Sequence, residues 1–345
     1  MSNEDSSNRV IEDLQNILNE LDDLKQDIDI FKKDLVVINQ NNVSKFETEV
    51  NKASSFCSWD FIDFFISDDF EEKFIDVINK LPRDSKVLFK WYFLRAMVIP
   101  MIKRESLFSS TELKSQKQFS EFQTKNVKDN MINGFKFHGE YNLHPFIDLN
   151  LSKDDEKFLS NKDIIDAGAF TGDTSLPLSQ LTNKNVYSFE PFKESFDILK
   201  RNVEDNNIKN IIPVNKSLGN INGERTLFLS GDNVQGITSK SDMRNYDNVL
   251  KVQETTVDCF VKENNLNVGY ITVDVEGAEM DLLEGAINTI KSQKPILTIS
   301  IYHQVSDYFN IIPWIDSLNL GYKFQIVKEQ PWTFLADTIV HCTPY

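Results

Sequence analysis

The chain has 345 residues, of which 40% are hydrophobic and 11% aromatic, so it can form one large core and a smaller module. Its formal net charge of −16 repels polyphosphates, which argues against nucleic acid as a partner. Three cysteines without paired spacing, a polar N-terminus and no long apolar run predict no disulfide framework, no zinc site, no secretion signal and no transmembrane segment. These features favour a cytoplasmic location.

Residues 1–42 carry a heptad pattern, in which apolar residues recur at alternating steps of four and three. One core position of this seam holds Leu14, Leu21, Ile28 and Leu35. When two such helices run parallel, the charged residues that flank the seam place unlike charges opposite each other. We therefore expect a parallel N-terminal coiled coil that makes the protein a homo-oligomer. The alternative is a single amphipathic helix packed on the rest of the chain.

Residues 43–136 are predicted to form a helical linker or cap module. The segment from Phe70 to Leu81 has helical periodicity, which Pro82 ends. The apolar residues between Val87 and Ile102 can line one face of a second helix, because Lys90 and Arg95 interrupt the run.

Residues 137–345 alternate between strand and helix patterns and are predicted to form an α/β, doubly wound (Rossmann-like) domain. A hairpin insertion is expected around Thr226 to Leu229. The last two predicted strands look like a closing antiparallel pair. The expected core strands end near Ile165, Phe189, Val214, Val273 and Ile301, and the closing pair spans 322–327 and 338–341.

The first core strand leads into Asp-x-Gly-x-x-x-Gly, with Asp166 before a tight turn at Gly168 and a close backbone approach at Gly172. This spacing differs from the Gly-x-Gly-x-x-Gly that binds a pyrophosphate. It favours S-adenosylmethionine, which carries a carboxylate, an ammonium and a sulfonium but no phosphate. The predicted cofactor-binding residues of this segment are Asp166, Gly168, Ala169, Phe170, Thr171 and Gly172.

Glu190 ends the second core strand, twenty-two residues after Gly168, and Pro191 stops the strand there. An acidic residue about twenty positions beyond the glycine turn accepts hydrogen bonds from the ribose hydroxyls of a bound nucleoside. Glu190 is therefore predicted to bind the ribose of the cofactor.

Three phrases together resemble the FkbM family of methyltransferases: Asp166-Ala-Gly-Ala-Phe-Thr-Gly-Asp173, Phe189-Glu-Pro191 and Thr272-Val-Asp-Val-Glu-Gly-Ala-Glu279. Leu283-Glu-Gly-Ala286 and Ser300-Ile-Tyr-His303 are also similar to that family. The resemblance runs from about Phe137 to the C-terminus. It implies a class I methyltransferase sheet, S-adenosylmethionine as the cofactor and O-methylation of a small-molecule or glycan hydroxyl.

A hydroxyl must lose its proton as it is methylated, so a general base is expected. The candidates are Asp274 and Glu276 after the fourth strand and His303 after the fifth. Asp274 is equally a candidate for holding the methionine amino group of the cofactor. The same three side chains offer the donors of a divalent metal site, but nothing in their spacing requires one, and no metal is predicted.

Two other functions stay open at this point. The same fold can N-methylate a peptide amide, or the chain can be a catalytically idle scaffold that acts through its coiled coil. An idle domain is expected to lose the glycine turn or the ribose-binding acid, and this chain keeps Gly168, Gly172 and Glu190.

Overall fold

The computed structural model describes residues 35–37, 67, 69–102, 107–229, 237–238, 248–330, 333 and 336–345. Its helices are α1 (Phe70–Lys80), α2 (Arg83–Ile102), α3 (Ser110–Asn126), α4 (His144–Ile147), α5 (Lys153–Leu159), α6 (Ser175–Leu178), α7 (Lys193–Asp205), α8 (Val257–Asn264), α9 (Glu279–Gly285), α10 (Ile287–Gln293) and α11 (Asp307–Ser317). Its strands before the insertion are β1 (Leu35–Val37), β2 (Leu107–Ser109), β3 (Val127–Lys128), β4 (Met131–Ile132), β5 (Phe135–Lys136), β6 (Asp163–Ala167), β7 (Val186–Phe189) and β8 (Ile211–Val214). Those that follow are β9 (Ser217–Leu218), β10 (Gly223–Leu229), β11 (Ile237–Thr238), β12 (Asn248–Thr255), β13 (Val268–Val273), β14 (Ile296–Ser300), β15 (Lys323–Lys328) and β16 (Thr338–Thr343).

A seven-stranded sheet in the order β15-β16-β14-β13-β6-β7-β8 organises the C-terminal part of the chain. The five strands from β14 to β8 are parallel, and β16 pairs antiparallel with both β14 and β15. The predicted doubly wound α/β fold and its closing antiparallel pair are confirmed.

The central strands are buried along nearly their whole length because helices cover the sheet on both faces. All five residues of β6 and all five of β14 are buried. The chain leaves β6 first toward β7 and β8, then returns to add β13 on the other side. This reversal opens a crevice at the carboxyl ends of β6, β7 and β13, where open α/β sheets bind ligands.

The predicted hairpin insertion is also present. Strands β10 and β12 pair antiparallel over seven residues in a separate four-stranded sheet, β11-β10-β12-β9. Arg225 of β10 binds both carboxylate oxygens of buried Glu254 in β12, at 2.8 and 2.7 Å, which locks the register of the pair.

The helices α1 and α2 pack directly on the large sheet. The Phe93 ring of α2 lies 5.4 Å from that of Tyr308 and 5.1 Å from that of Phe309, both in α11. Ser85 of α2 accepts a 3.0 Å hydrogen bond from the backbone N–H of Ile326, on the edge strand β15. The module therefore shares its core with the sheet and covers one sheet edge.

Two segments differ from the sequence prediction. Residues 127–136, expected to belong to the helical module, form the three short strands β3, β4 and β5. Residues 35–37 of the expected coiled coil form β1, which pairs with β2, because the β-branched Val36 and Val37 favour extended backbone. The rest of the predicted coiled coil lies outside the described residues.

None of the helices that the structure describes is long and apolar enough to cross a membrane. Cys259 and Cys342 are both free thiols, and Cys57 lies outside the described part of the chain.

Candidate active site

The turn after β6 brings two strand ends into contact. Gly168 has φ +84°, and a Cβ at this position would lie 1.8 Å from the carbonyl oxygen of Asp274. The backbone N–H groups of Gly168 and Ala169 both donate to the carbonyl oxygen of Phe189, at 3.0 and 2.9 Å. Only glycine fits at 168, and its turn joins the ends of β6, β7 and β13.

The next residues of this turn, Thr171 and Gly172, contact residues that lie outside the sheet. The Thr171 hydroxyl donates to the carbonyl oxygen of Glu140 at 2.6 Å, and the side-chain amide of Asn202 donates to the Thr171 carbonyl oxygen at 2.8 Å. Gly172 has φ +94°, and a Cβ there would meet Leu199 at 2.7 Å. The side chain and the carbonyl oxygen of Thr171 are therefore both used to fix the loop.

Glu190 lies where the sequence predicted a ribose-binding acid, at the end of β7. Its Oε2 accepts a 2.9 Å hydrogen bond from the backbone N–H of Phe170, and its Oε1 accepts a 2.7 Å bond from that of Phe192. Phe170 itself has a left-handed backbone, φ 45°. These two bonds fix the orientation of the carboxylate.

Two further carboxyl groups lie under the glycine turn. Asp166 accepts a hydrogen bond from the Ser175 hydroxyl, and Asp173 accepts bonds from the backbone N–H groups of Asn142 and Thr174. Burial raises the pKa of both Asp166 and Asp173 to about 7, and that of Glu190 to about 8. The crevice is thus lined by carboxyl groups that protonate near neutrality.

The end of β13 presents Asp274 and Glu276. The backbone N–H of Asp274 donates to the Ala167 carbonyl oxygen at 2.9 Å, which continues the pairing of β13 with β6. Glu276 and Gly277 both have positive φ, 54° and 96°. This sharp turn brings the Glu276 carboxylate to within 3.6 Å of His303 Nε2.

His303 follows β14, as predicted, and its side chain is only 4% exposed. Its Nδ1 lies 2.8 Å from Glu279 Oε1, and its Nε2 lies 3.4 Å from Asp274 Oδ1. Burial disfavours a charged imidazole, but the Glu279 and Glu276 carboxylates outweigh it and raise the pKa of His303 well above its ordinary value. The three predicted catalytic residues, Asp274, Glu276 and His303, are therefore brought together.

Glu279 is a member of this site that the sequence analysis did not assign a role. It is fully buried at the start of α9, and its Oε1 also accepts the backbone N–H groups of Val275 and Gly277, at 3.1 and 3.3 Å. Burial would raise the pKa of Glu279, but the neighbouring His303 lowers it. An acidic residue directly after a glycine turn was the available signal, whereas its contact with His303 links residues 24 positions apart.

Three residues near this site have other roles. His138 binds Asp205 at 2.8 Å, and His144 is buried, which lowers its pKa to about 4. Tyr302 stacks beside His303, with 4.1 Å between the ring centroids.

Comparison with known proteins agrees with this geometry. Residues 166–324 match the family model described as the Methyltransferase FkbM domain. No protein with a curated description matches the chain.

Among solved structures, the chain is similar to methyltransferase FkbM from Methylobacillus flagellatus, with 16% identity and a TM-score of 0.50. The match covers 79% of this chain but only 58% of that protein. An rRNA methylase from Streptococcus thermophilus matches with 13% identity and a TM-score of 0.36, over 55% of this chain and 90% of that one. Aeropyrum pernix fibrillarin in complex with S-adenosyl-L-methionine matches with 10% identity and a TM-score of 0.34, over 54% of this chain and 68% of that one.

Proposed function

We propose that this chain, which carries an FkbM methyltransferase domain, uses S-adenosylmethionine to methylate a hydroxyl group of a sugar or glycan precursor. One observation carries the proposal. The glycine turn of β6, the oriented Glu190 carboxylate and the group formed by Asp274, Glu276 and His303 all lie at the carboxyl ends of neighbouring parallel strands.

The cofactor binds along this crevice. Each Glu190 oxygen accepts one backbone N–H, and a carboxylate oxygen has two lone-pair directions, so each keeps one for a ribose hydroxyl. The closely approaching backbone of residues 168–172 holds the methionine end. The Asp274 backbone lies against this segment, and its side chain, 45% exposed, offers a carboxylate to the ammonium and sulfonium charges.

The acceptor hydroxyl lies beside Asp274, Glu276 and His303. Its oxygen attacks the methyl carbon while the carbon–sulfur bond breaks, and the electron pair of that bond leaves on sulfur as S-adenosylhomocysteine. One of the three side chains takes the hydroxyl proton. Holding oxygen, carbon and sulfur in line accounts for most of the acceleration, because such alignment is equivalent to an effective molarity of about 10⁵ to 10⁸ M.

The test is methyl transfer from S-adenosylmethionine carrying a labelled methyl group to a panel of sugars, nucleotide-linked sugars and peptides. We expect label in a sugar ether. We also expect Asp274→Asn to lose at least 100-fold in kcat and to bind S-adenosylhomocysteine more weakly, because its carboxylate also faces the ammonium group. Label in a peptide amide would replace the proposal with N-methylation. A protein that binds the cofactor but labels nothing in the panel would contradict it.

A further inference from the structure

His303 presents a buried nitrogen that has no hydrogen-bond partner among the described residues. Its Nε2 lies 3.4 Å from Asp274 Oδ1 and 3.6 Å from Glu276 Oε2. Asp274 Oδ1 is also buried and makes no hydrogen bond within the described part of the chain. A buried polar atom without a partner costs stability, so the arrangement calls for a ligand between the imidazole and the carboxylates.

The separations fit a shared ion. Two ligand atoms each about 2.1 Å from a metal lie about 3.0 Å apart at a right angle and about 3.4 Å apart at the tetrahedral angle. The ligand atoms of Asp274, Glu276 and His303 all lie within 4.8 Å of one another. The Glu276 side chain is 39% exposed, and its Oε2 lies 3.6 Å from His303 Nε2, close to the separation that a shared ion requires.

The surroundings of His303 are those of a metal ligand. Its Nδ1 is held by Glu279, which is itself fixed by the N–H groups of Val275 and Gly277. A carboxylate that accepts the Nδ1–H of a histidine leaves Nε2 as the nitrogen that binds a metal, which displaces the Nε2 proton of a charged imidazole. Glu279 thus positions His303 toward Asp274 and Glu276.

We propose that Asp274, Glu276 and His303 bind one divalent metal ion, with Glu279 as the positioning residue. Two carboxylate oxygens and one imidazole nitrogen suit a first-row ion such as Mn²⁺ better than Mg²⁺, whose sites are built from oxygen. Three protein ligands on one side leave the positions toward the crevice open. This site replaces the metal-free arrangement that the sequence spacing alone favoured.

The open coordination positions of the ion indicate the class of acceptor. This assignment of the acceptor rests on the proposed function. Two neighbouring hydroxyls of a sugar can occupy two adjacent positions on the ion, so we assign a vicinal diol as the acceptor class. Binding to the ion lowers the pKa of the hydroxyl that is methylated. His303 then acts as a ligand, and a carboxylate oxygen that the ion leaves free takes the proton.

Metal binding is tested without cofactor or acceptor, by titrating Mn²⁺ into the full-length, metal-depleted protein and following free Mn²⁺ by electron paramagnetic resonance. We expect one ion per chain with micromolar affinity. Asp274→Asn and His303→Ala should each weaken it at least tenfold. Glu284→Gln is the matched control, because Glu284 is an exposed acid bonded to Asn220. Equal affinity in all three variants, or no binding at millimolar Mn²⁺, would overturn the site.

A second measurement uses the unsubstituted protein, so its result does not depend on whether a variant folds. The bound Mn²⁺ should show electron spin-echo modulation from a directly coordinated imidazole nitrogen. Mn²⁺ bound without that signal sits elsewhere and contradicts the assignment.

Measurements of methyl transfer distinguish a failure of the metal site from a failure of the proposed function. A chelator should abolish methyl transfer and added Mn²⁺ should restore it, with cis-diol sugars preferred over their monodeoxy analogues. Transfer that is unaffected by the chelator overturns the metal site but leaves the methyltransferase standing. Mn²⁺ binding at His303 without transfer to any acceptor supports the metal site and contradicts the proposed reaction.

Discussion

Glu190 is a buried acid whose charge the folded protein disfavours, since burial raises its pKa to about 8 even with two backbone N–H donors. It is therefore largely protonated at neutral pH before a ligand arrives. We propose that the ribose hydroxyls of a bound nucleoside donate to the ionised carboxylate and stabilise it. Binding of the cofactor is thus coupled to release of a proton from this residue.

This coupling sets a pH dependence. The affinity for S-adenosylhomocysteine should increase as pH rises from 6 toward 8, by up to tenfold per unit, and level off above the pKa of the free protein. Calorimetry in two buffers with different ionisation enthalpies measures the proton released. Glu190→Gln should bind more weakly and lose most of this proton release. Identical proton release by that variant would assign the titration to another group.

The parts of the site that the sequence predicted are those whose residues lie close together in the chain. The turn at Gly168 and the acid at Glu190 are local patterns, and the structure places them as expected. The roles of Glu279 and Asp173 depend on partners distant in sequence, His303 and Asn142. These residues are buried because the ends of separate strands come together, and a local sequence pattern carries no information about such long-range contacts.

At the level of elements, helix α2 is a structural part of the α/β fold. Phe93 is 1% exposed and lies among Phe89, Tyr308 and Phe309, with ring centroids 4.7 to 5.4 Å away. The aromatic contacts therefore join the N-terminal module to α11 of the sheet.

Phe93→Ala should lower the free energy of unfolding by about 3 to 5 kcal/mol, because it leaves a cavity between α2 and α11. Ile75→Ala is the control, since Ile75 on α1 is an apolar residue that is 49% exposed, and we expect a change within about 1 kcal/mol. Urea denaturation followed by circular dichroism measures both. Similar values for the two variants would mean that the module does not share the core.

Elements with a long, uniform pattern were predictable. The apolar runs of β6, β13 and β14 and the periodic helix α1 appear close to their expected bounds. The strands β3, β4 and β5 have two residues each, too few to show a period. The turns between them use left-handed backbone at Asp129 and Asn133, so local turn chemistry ended the helix that periodicity would have continued.

For the whole molecule, we propose that the heptad segment sets the oligomeric state; this segment lies outside the described residues except for β1. We propose that residues before Leu35 form the parallel coiled coil. Since β1 pairs with β2, the coil is expected to end before this strand.

Removal of residues 1–34 should convert an oligomer into a monomer, because the deletion removes most of the apolar seam. Light scattering at several concentrations measures this. A full-length variant with Leu21→Asp and Ile28→Asp keeps the chain length and should dissociate in the same way. A truncated protein with the mass of the full-length oligomer would place the interface elsewhere.

The central claim is that the crevice at the ends of β6, β7 and β13 binds S-adenosylmethionine through Glu190. Calorimetry with the intact chain, Glu190→Gln and Glu194→Gln tests it most directly, because Glu194 is an exposed glutamate only four residues away. We expect micromolar binding by the intact chain, unchanged affinity in Glu194→Gln and about 10- to 100-fold weaker binding in Glu190→Gln. Equal affinity in the two variants, or no binding by the folded intact chain, would contradict the account.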